Sequence, residues 1–171
     1  MLTSIKRRLS SAPERDGGFT LIELAVVILI IGILLAIAIP TFLGIRRNAQ
    51  NKAAQSSIRT VLTAAKALAS DGGSYTDVSV AQIKTDEKSI DIIDGGVSKD
   101  AKQVSVVIAT DSVVIAAESQ PGVCFVLIDN ISGDATGTKY YLRKGATECK
   151  ATVADATNAD AKDTIKVGWK V

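Results

Sequence analysis

From Leu24 to Ile39 every residue is Leu, Ile, Val, Ala or Gly, and between Phe19 and Leu43 the only charge is Glu23. An apolar run of this length predicts a helix that is hydrophobic on all sides. At ~1.5 Å per residue the segment reaches ~37 Å, enough to cross a hydrocarbon layer of ~30 Å. From Thr41 to Ser70 the pattern changes to a period near 3.6. Ile45, Ala49, Ala53, Ser57, Val61, Ala65 and Leu68 follow one stripe, with Ile58 and Leu62 beside it, while Arg46, Asn48, Gln50, Lys52, Gln55, Arg59 and Lys66 lie mostly off it. This predicts an amphipathic helix whose apolar face needs a sheet to cover it. Ser70-Asp71-Gly72-Gly73 is its stop signal.

Beyond Gly73 the pattern is one of strands and turns. The stretch to Gly96 reads as a connection, with a short helix or strand around Val80–Ile83. Val104–Ala109 and Val113–Ala117 are β-branched runs on either side of Thr110-Asp111-Ser112, a hairpin signal. Val123–Asp129 and Thr138–Arg143 form a second pair around the turn-rich 130–137, and Thr164–Val171 alternates in a way that would close the sheet. Ala151–Asp163 reads as an exposed loop. The fold class expected is α+β, a long N-terminal helix packed on an antiparallel sheet of about four strands. The organisation expected is 1–18 as a leader, 19–43 as a membrane or assembly helix, 44–70 as an amphipathic helix, and 71–171 as a β head.

Composition narrows the chemistry. There is no histidine, which removes the commonest general base and metal ligand. Two cysteines, Cys124 and Cys149, are too few for a zinc site on their own. Phosphate loops, nucleophile elbows and paired-acid signatures are lacking, so no enzyme and no cofactor are expected. Asp155, Asn158, Asp160 and Asp163 lie close together but lack the ordered spacing of an EF-hand, and no metal is assigned. A net charge of +2 and 4% aromatics give no sign of a nucleic-acid surface.

An acid inside an apolar span is costly and marks a functional position that needs a partner. Before it sits a basic leader with Lys6, Arg7, Arg8 and Arg15 against Glu14 and Asp16, ending Gly17-Gly18-Phe19-Thr20-Leu21-Ile22-Glu23-Leu24. This segment resembles the type IV pilin family, which includes the pseudopilins of type II secretion. The resemblance is sharp over residues 15–50 and architectural afterwards. It implies a lollipop-shaped subunit, cleavage between Gly18 and Phe19 by a membrane-embedded prepilin peptidase, and methylation of the new Phe19 amine. It also implies a helical homopolymer, in which Glu23 pairs with the Phe19 amine of a neighbouring subunit and Pro40 marks a place where the helix bends or melts. An assembly platform and ATPase would draw subunits from an inner-membrane pool, with the head outside the cytoplasm, into an extracellular pilus.

Cysteines outside the cytoplasm suggest a Cys124–Cys149 disulfide, and many members of the family bridge that part of the head. Two buried free thiols are the alternative reading. The function implied is a structural pilus subunit serving adhesion, motility or DNA uptake, with any surface or DNA ligand unreadable from the sequence. The alternatives are a secretion pseudopilin, a plain membrane anchor for a binding module, and a secretory signal peptide with a small-residue site at Ala36-Ile37-Ala38.

Overall fold

The computed structural model describes residues 18–69, 73–132, 136–157 and 165–166. The chain divides into two units, Met1–Thr41 and Phe42–Val171. A helix, α1 (Leu21–Ala69), supplies the described part of the first unit and continues into the second. Its first stretch has every residue from Leu21 to Leu43 exposed. The second unit holds the rest of α1, then α2 (Val80–Asp86), β1 (Asp91–Asp94), β2 (Gln103–Ala109), β3 (Ser112–Gln120), β4 (Val123–Asn130), β5 (Gly137–Lys144), α3 (Val153–Thr157) and the short β6 (Ile165–Lys166).

The sheet runs β1-β2-β3-β4-β5-β6, so neighbours in sequence are neighbours in space. From β2 to β6 every pairing is antiparallel. β1 pairs with β2 in parallel. That strand lies where a connecting segment was expected, and it makes the sheet larger and more mixed than four antiparallel strands. The four strands expected between Val104 and Arg143 are present, with ends shifted by at most three residues. Of the expected Thr164–Val171 strand, only residues 165–166 are among those described.

Strand alternation gives the sheet two apolar faces. On one face Val104, Val106, Val113, Ile115, Ala117, Phe125 and Leu127 meet Ala54, Ile58, Val61, Leu62 and Ala65 of α1. The buried stripe of the helix therefore begins at Ala54. Ile45, Ala49 and Ala53 continue the apolar periodicity but stay exposed, because burial against the core starts about two and a half turns later than the pattern does.

On the other face Val114, Ala116, Val126, Ile128 and Tyr141 are covered by the segment around Cys149 and Ala151. The expectation of an exposed loop from Ala151 is corrected here. Ala151 is buried and donates its N–H to Ser105 Oγ at 3.0 Å, and α3 follows. Arg143 pairs with Asp155, and Asp155 also accepts from the Thr152 N–H at 2.9 Å. Residues 158–163 of that expected loop lie outside those described. A disulfide joins Cys124 at the start of β4 to Cys149, with Cα atoms 5.3 Å apart. Next to it, the Ser98 N–H donates to the Cys149 carbonyl at 2.8 Å. Closing a loop of this size stabilises a fold by ~3 kcal/mol in the chain-entropy model.

Candidate functional site

The candidate residues fall into three places. Gly18 and Phe19 precede α1 and are exposed, Phe19 at 89%. Their peptide bond is therefore open to a protease. In the uncleaved chain the Phe19 nitrogen is an amide and carries no charge. Only cleavage would create an amine there.

Glu23 occupies the third position of α1, and its carboxylate turns back on the helix start. Glu23 Oε2 accepts from both the Thr20 N–H and Thr20 Oγ1, each at 2.8 Å, while Thr20 Oγ1 accepts from the Glu23 N–H at 3.2 Å. This is a reciprocal capping box, which satisfies two backbone donors that the first turn leaves open. The Leu24 N–H, bonded to the Thr20 carbonyl at 3.2 Å, closes the first turn. Sequence reasoning passed over Thr20, although Thr-x-x-Glu before an apolar run is the signature of this cap.

Magnitudes decide whether the cap alone accounts for the acid. A cap contributes ~1 kcal/mol, and a carboxylate at a helix N-terminus adds up to ~1 kcal/mol. A charge at the centre of a bilayer costs ~3 kcal/mol on insertion scales. Glu23 lies at the start of α1 and not at its centre, so the cap is of the same order as the cost it offsets.

Pro40 lies inside α1, which stays helical through it. Proline offers no N–H to the carbonyl four residues back. Beside that missing bond, Thr41 Oγ1 donates to the Ile37 carbonyl at 3.1 Å. The boundary between the two units falls one residue after Thr41's predecessor, between Thr41 and Phe42.

The second place is a buried polar junction that the sequence did not announce. Asp129 on β4 is 2% exposed. It accepts from Tyr75 Oη at 2.7 Å, from Lys66 Nζ of α1 at 2.8 Å, and from Thr138 Oγ1 of β5. Burial pushes the Asp129 carboxyl up, but the bonds from Lys66, Thr138 and Tyr75 together outweigh it and hold the group below its usual value. Burial, followed by the hydrogen bond to Asp129 and its charge, raises the Tyr75 phenol well above its usual value. The junction ties the end of α1, the turn after it and two strands to one carboxylate. The third place is the Cys124–Cys149 bridge, which brings its two residues together on the face away from α1.

The prokaryotic N-terminal methylation motif matches residues 15–39, which include Gly18, Phe19, Thr20 and Glu23. The chain is similar to the type IV major pilin protein PilA of Myxococcus xanthus (strain DK1622), 41% identical over 70 residues. Those residues are 41% of this chain and 32% of that protein, so the match spans about a third of the relative's length. No solved structure matches. The pilin layout of a long apolar helix packed through its later part on a mostly antiparallel sheet is the one observed. The α1 helix is long and apolar enough to cross a membrane, and its apolar first part, Leu21 to Leu43, is exposed throughout.

Proposed function

We propose that this chain is the structural subunit of a type IV pilus. The observation that carries the proposal is the unburied apolar helix directly behind the methylation motif. Eighteen large apolar side chains from Phe19 to Ile45, exposed among the described residues, need a membrane, and then other subunits, around them. In this reading a prepilin peptidase cuts between Gly18 and Phe19, and the freed Phe19 amine is methylated. Glu23 keeps its cap on Thr20 and gains the amine of a neighbouring subunit as a further partner. Apolar contacts from Leu21 to Ile39 supply most of the cohesion, and Pro40 is the position where the helix yields as subunits pack.

The subunit waits in the inner membrane with its head outside the cytoplasm, until an assembly platform and ATPase add it to the filament. The bridged C-terminal segment supports a pilus over a secretion pseudopilus. Adhesion, motility and DNA uptake are all compatible uses of such a filament.

Mass spectrometry of sheared surface filaments tests this. The expected subunit is residues 19–171 with one added methyl group at Phe19. Glu23→Gln should be cut normally yet remain in the membrane fraction. An N-terminus at Ile39 would overturn the reading in favour of an ordinary signal peptide, and normal filament yield in Glu23→Gln would remove the assembly role of the carboxylate.

A further inference from the structure

Charge in the second unit is segregated by element. After Glu23, α1 carries Arg46, Arg47, Lys52, Arg59 and Lys66 and no acid at all. Residues 70–171 carry fifteen acids against eleven bases, and five acids against two bases fall between Asp77 and Asp94 alone. Lys66 is used inside the subunit by Asp129. Arg46, Arg47 and Lys52 are exposed, and none has an ion-pair partner among the described residues. The same holds for Asp77, Asp86 and Asp94. At ~100° per residue, Arg46, Arg47 and Lys52 point roughly a third of a turn apart and ring the helix.

We infer that this basic collar docks against the acidic 77–94 segment of a second copy of this chain. The inference rests on the filament reading above and adds which surfaces meet. A ring of cations presents one to each of several surrounding subunits, and the acids that could meet it are displayed on the same kind of subunit. Opposite patches of this sort select register and speed encounter more than they add affinity.

Lipid phosphates are the competing occupant. They would suit Arg46 and Arg47, which follow Leu43 by ~5 Å along the helix. Lys52 lies ~13 Å past Leu43, beyond a headgroup layer of ~6 Å. An anionic membrane surface would also repel the acidic segment that the collar matches.

The test is a charge swap in the full chain, read as sheared filament yield and as subunit level in the membrane. Arg47→Glu with Lys52→Glu should lower filament yield by about tenfold, with the subunit still present in the membrane. Asp86→Lys with Asp94→Lys should do the same without touching α1. Combining all four should restore assembly, and wild-type yield should fall as salt is raised during reassembly of detergent-dispersed filaments. Wild-type yield in either double variant, or failure of the four-fold variant to assemble while head unfolding is unchanged, would overturn the inference. If only the α1 variant fails, and its loss follows the anionic lipid content of the membrane, the collar is a lipid site and the inference is also overturned. Absence of filaments from the wild type would instead count against the filament reading itself.

Discussion

Ile31 and Ile58 are the same residue in the same helix, yet Ile31 is 49% exposed and Ile58 is fully buried. The first lies where α1 is apolar all round, the second where it is apolar on one stripe. A stripe is the mark of a helix whose partner is in its own chain, here the sheet from β2 to β5. An all-round apolar surface is the mark of a helix whose partner lies elsewhere. Within the second unit the charges differ in the same way: Lys66 meets Asp129 of its own chain, whereas Arg46, Arg47 and Lys52 are exposed. One helix thus serves two purposes, and the change of pattern near Thr41 falls at the boundary between the two units.

The most direct way to break this comparison is to make the same substitution in both halves. Ile58→Ala leaves a cavity among Val61, Leu62 and the sheet, and should cost the head ~2–5 kcal/mol. Thermal unfolding of the detergent-solubilised chain should show a lowered midpoint. Ile31→Ala should leave that midpoint unchanged, since Ile31 is exposed and takes no part in the buried core, and should act only on assembly. Equal midpoint losses in the two variants would mean that the first half of α1 contributes to head stability, contrary to the division drawn here.

What could be read from the sequence follows the same line. The two halves of α1 were legible because periodicity is local, and the β2–β5 strands were legible because β-branched runs and short turns are local too. β1 was missed because Asp91-Ile92-Ile93-Asp94 is short and acid-ended, and its parallel partner is set by tertiary context. The start of the buried stripe was misplaced because periodicity cannot say how far a sheet extends along a helix. The Asp129 junction was missed because Tyr75 and Asp129 are 54 residues apart and neither sits in a motif. Thr20 was the avoidable omission, since its signature stood in the text.

A smaller effect should come from pH, and it separates the halves again because both groups belong to the head. The Asp129 carboxyl is held below its unfolded value, so the stability it lends is present above about pH 4 and is lost as pH falls through its folded value. The Tyr75 phenol is raised, so its contribution is present below about pH 10 and is lost as pH rises beyond that. Head stability measured by denaturant should therefore decline at both edges. Tyr75→Phe should remove the alkaline decline and cost ~1–2 kcal/mol at neutral pH, since it deletes one bond to a buried carboxylate. An unchanged alkaline limb in that variant would assign the limb to other groups.

The smallest expected effect decides what Glu23 is for. Its carboxylate caps α1 through Thr20, and in the proposed filament it also pairs with a neighbouring amine. The two roles are separable because Thr20→Ala removes the hydroxyl from the cap and leaves the carboxylate in place. Loss of a Thr cap costs ~1 kcal/mol, so the Glu23 amide should exchange with solvent roughly fivefold faster in detergent micelles. That is a local loss at the start of the half of α1 that carries none of the head's core, and head unfolding should not change. If pairing with an amine is what assembly needs, Thr20→Ala should still build filaments while Glu23→Gln does not. If capping is the whole role of the acid, Thr20→Ala should assemble as poorly as Glu23→Gln, and the partner of the exposed helix would then be chosen by apolar contact alone.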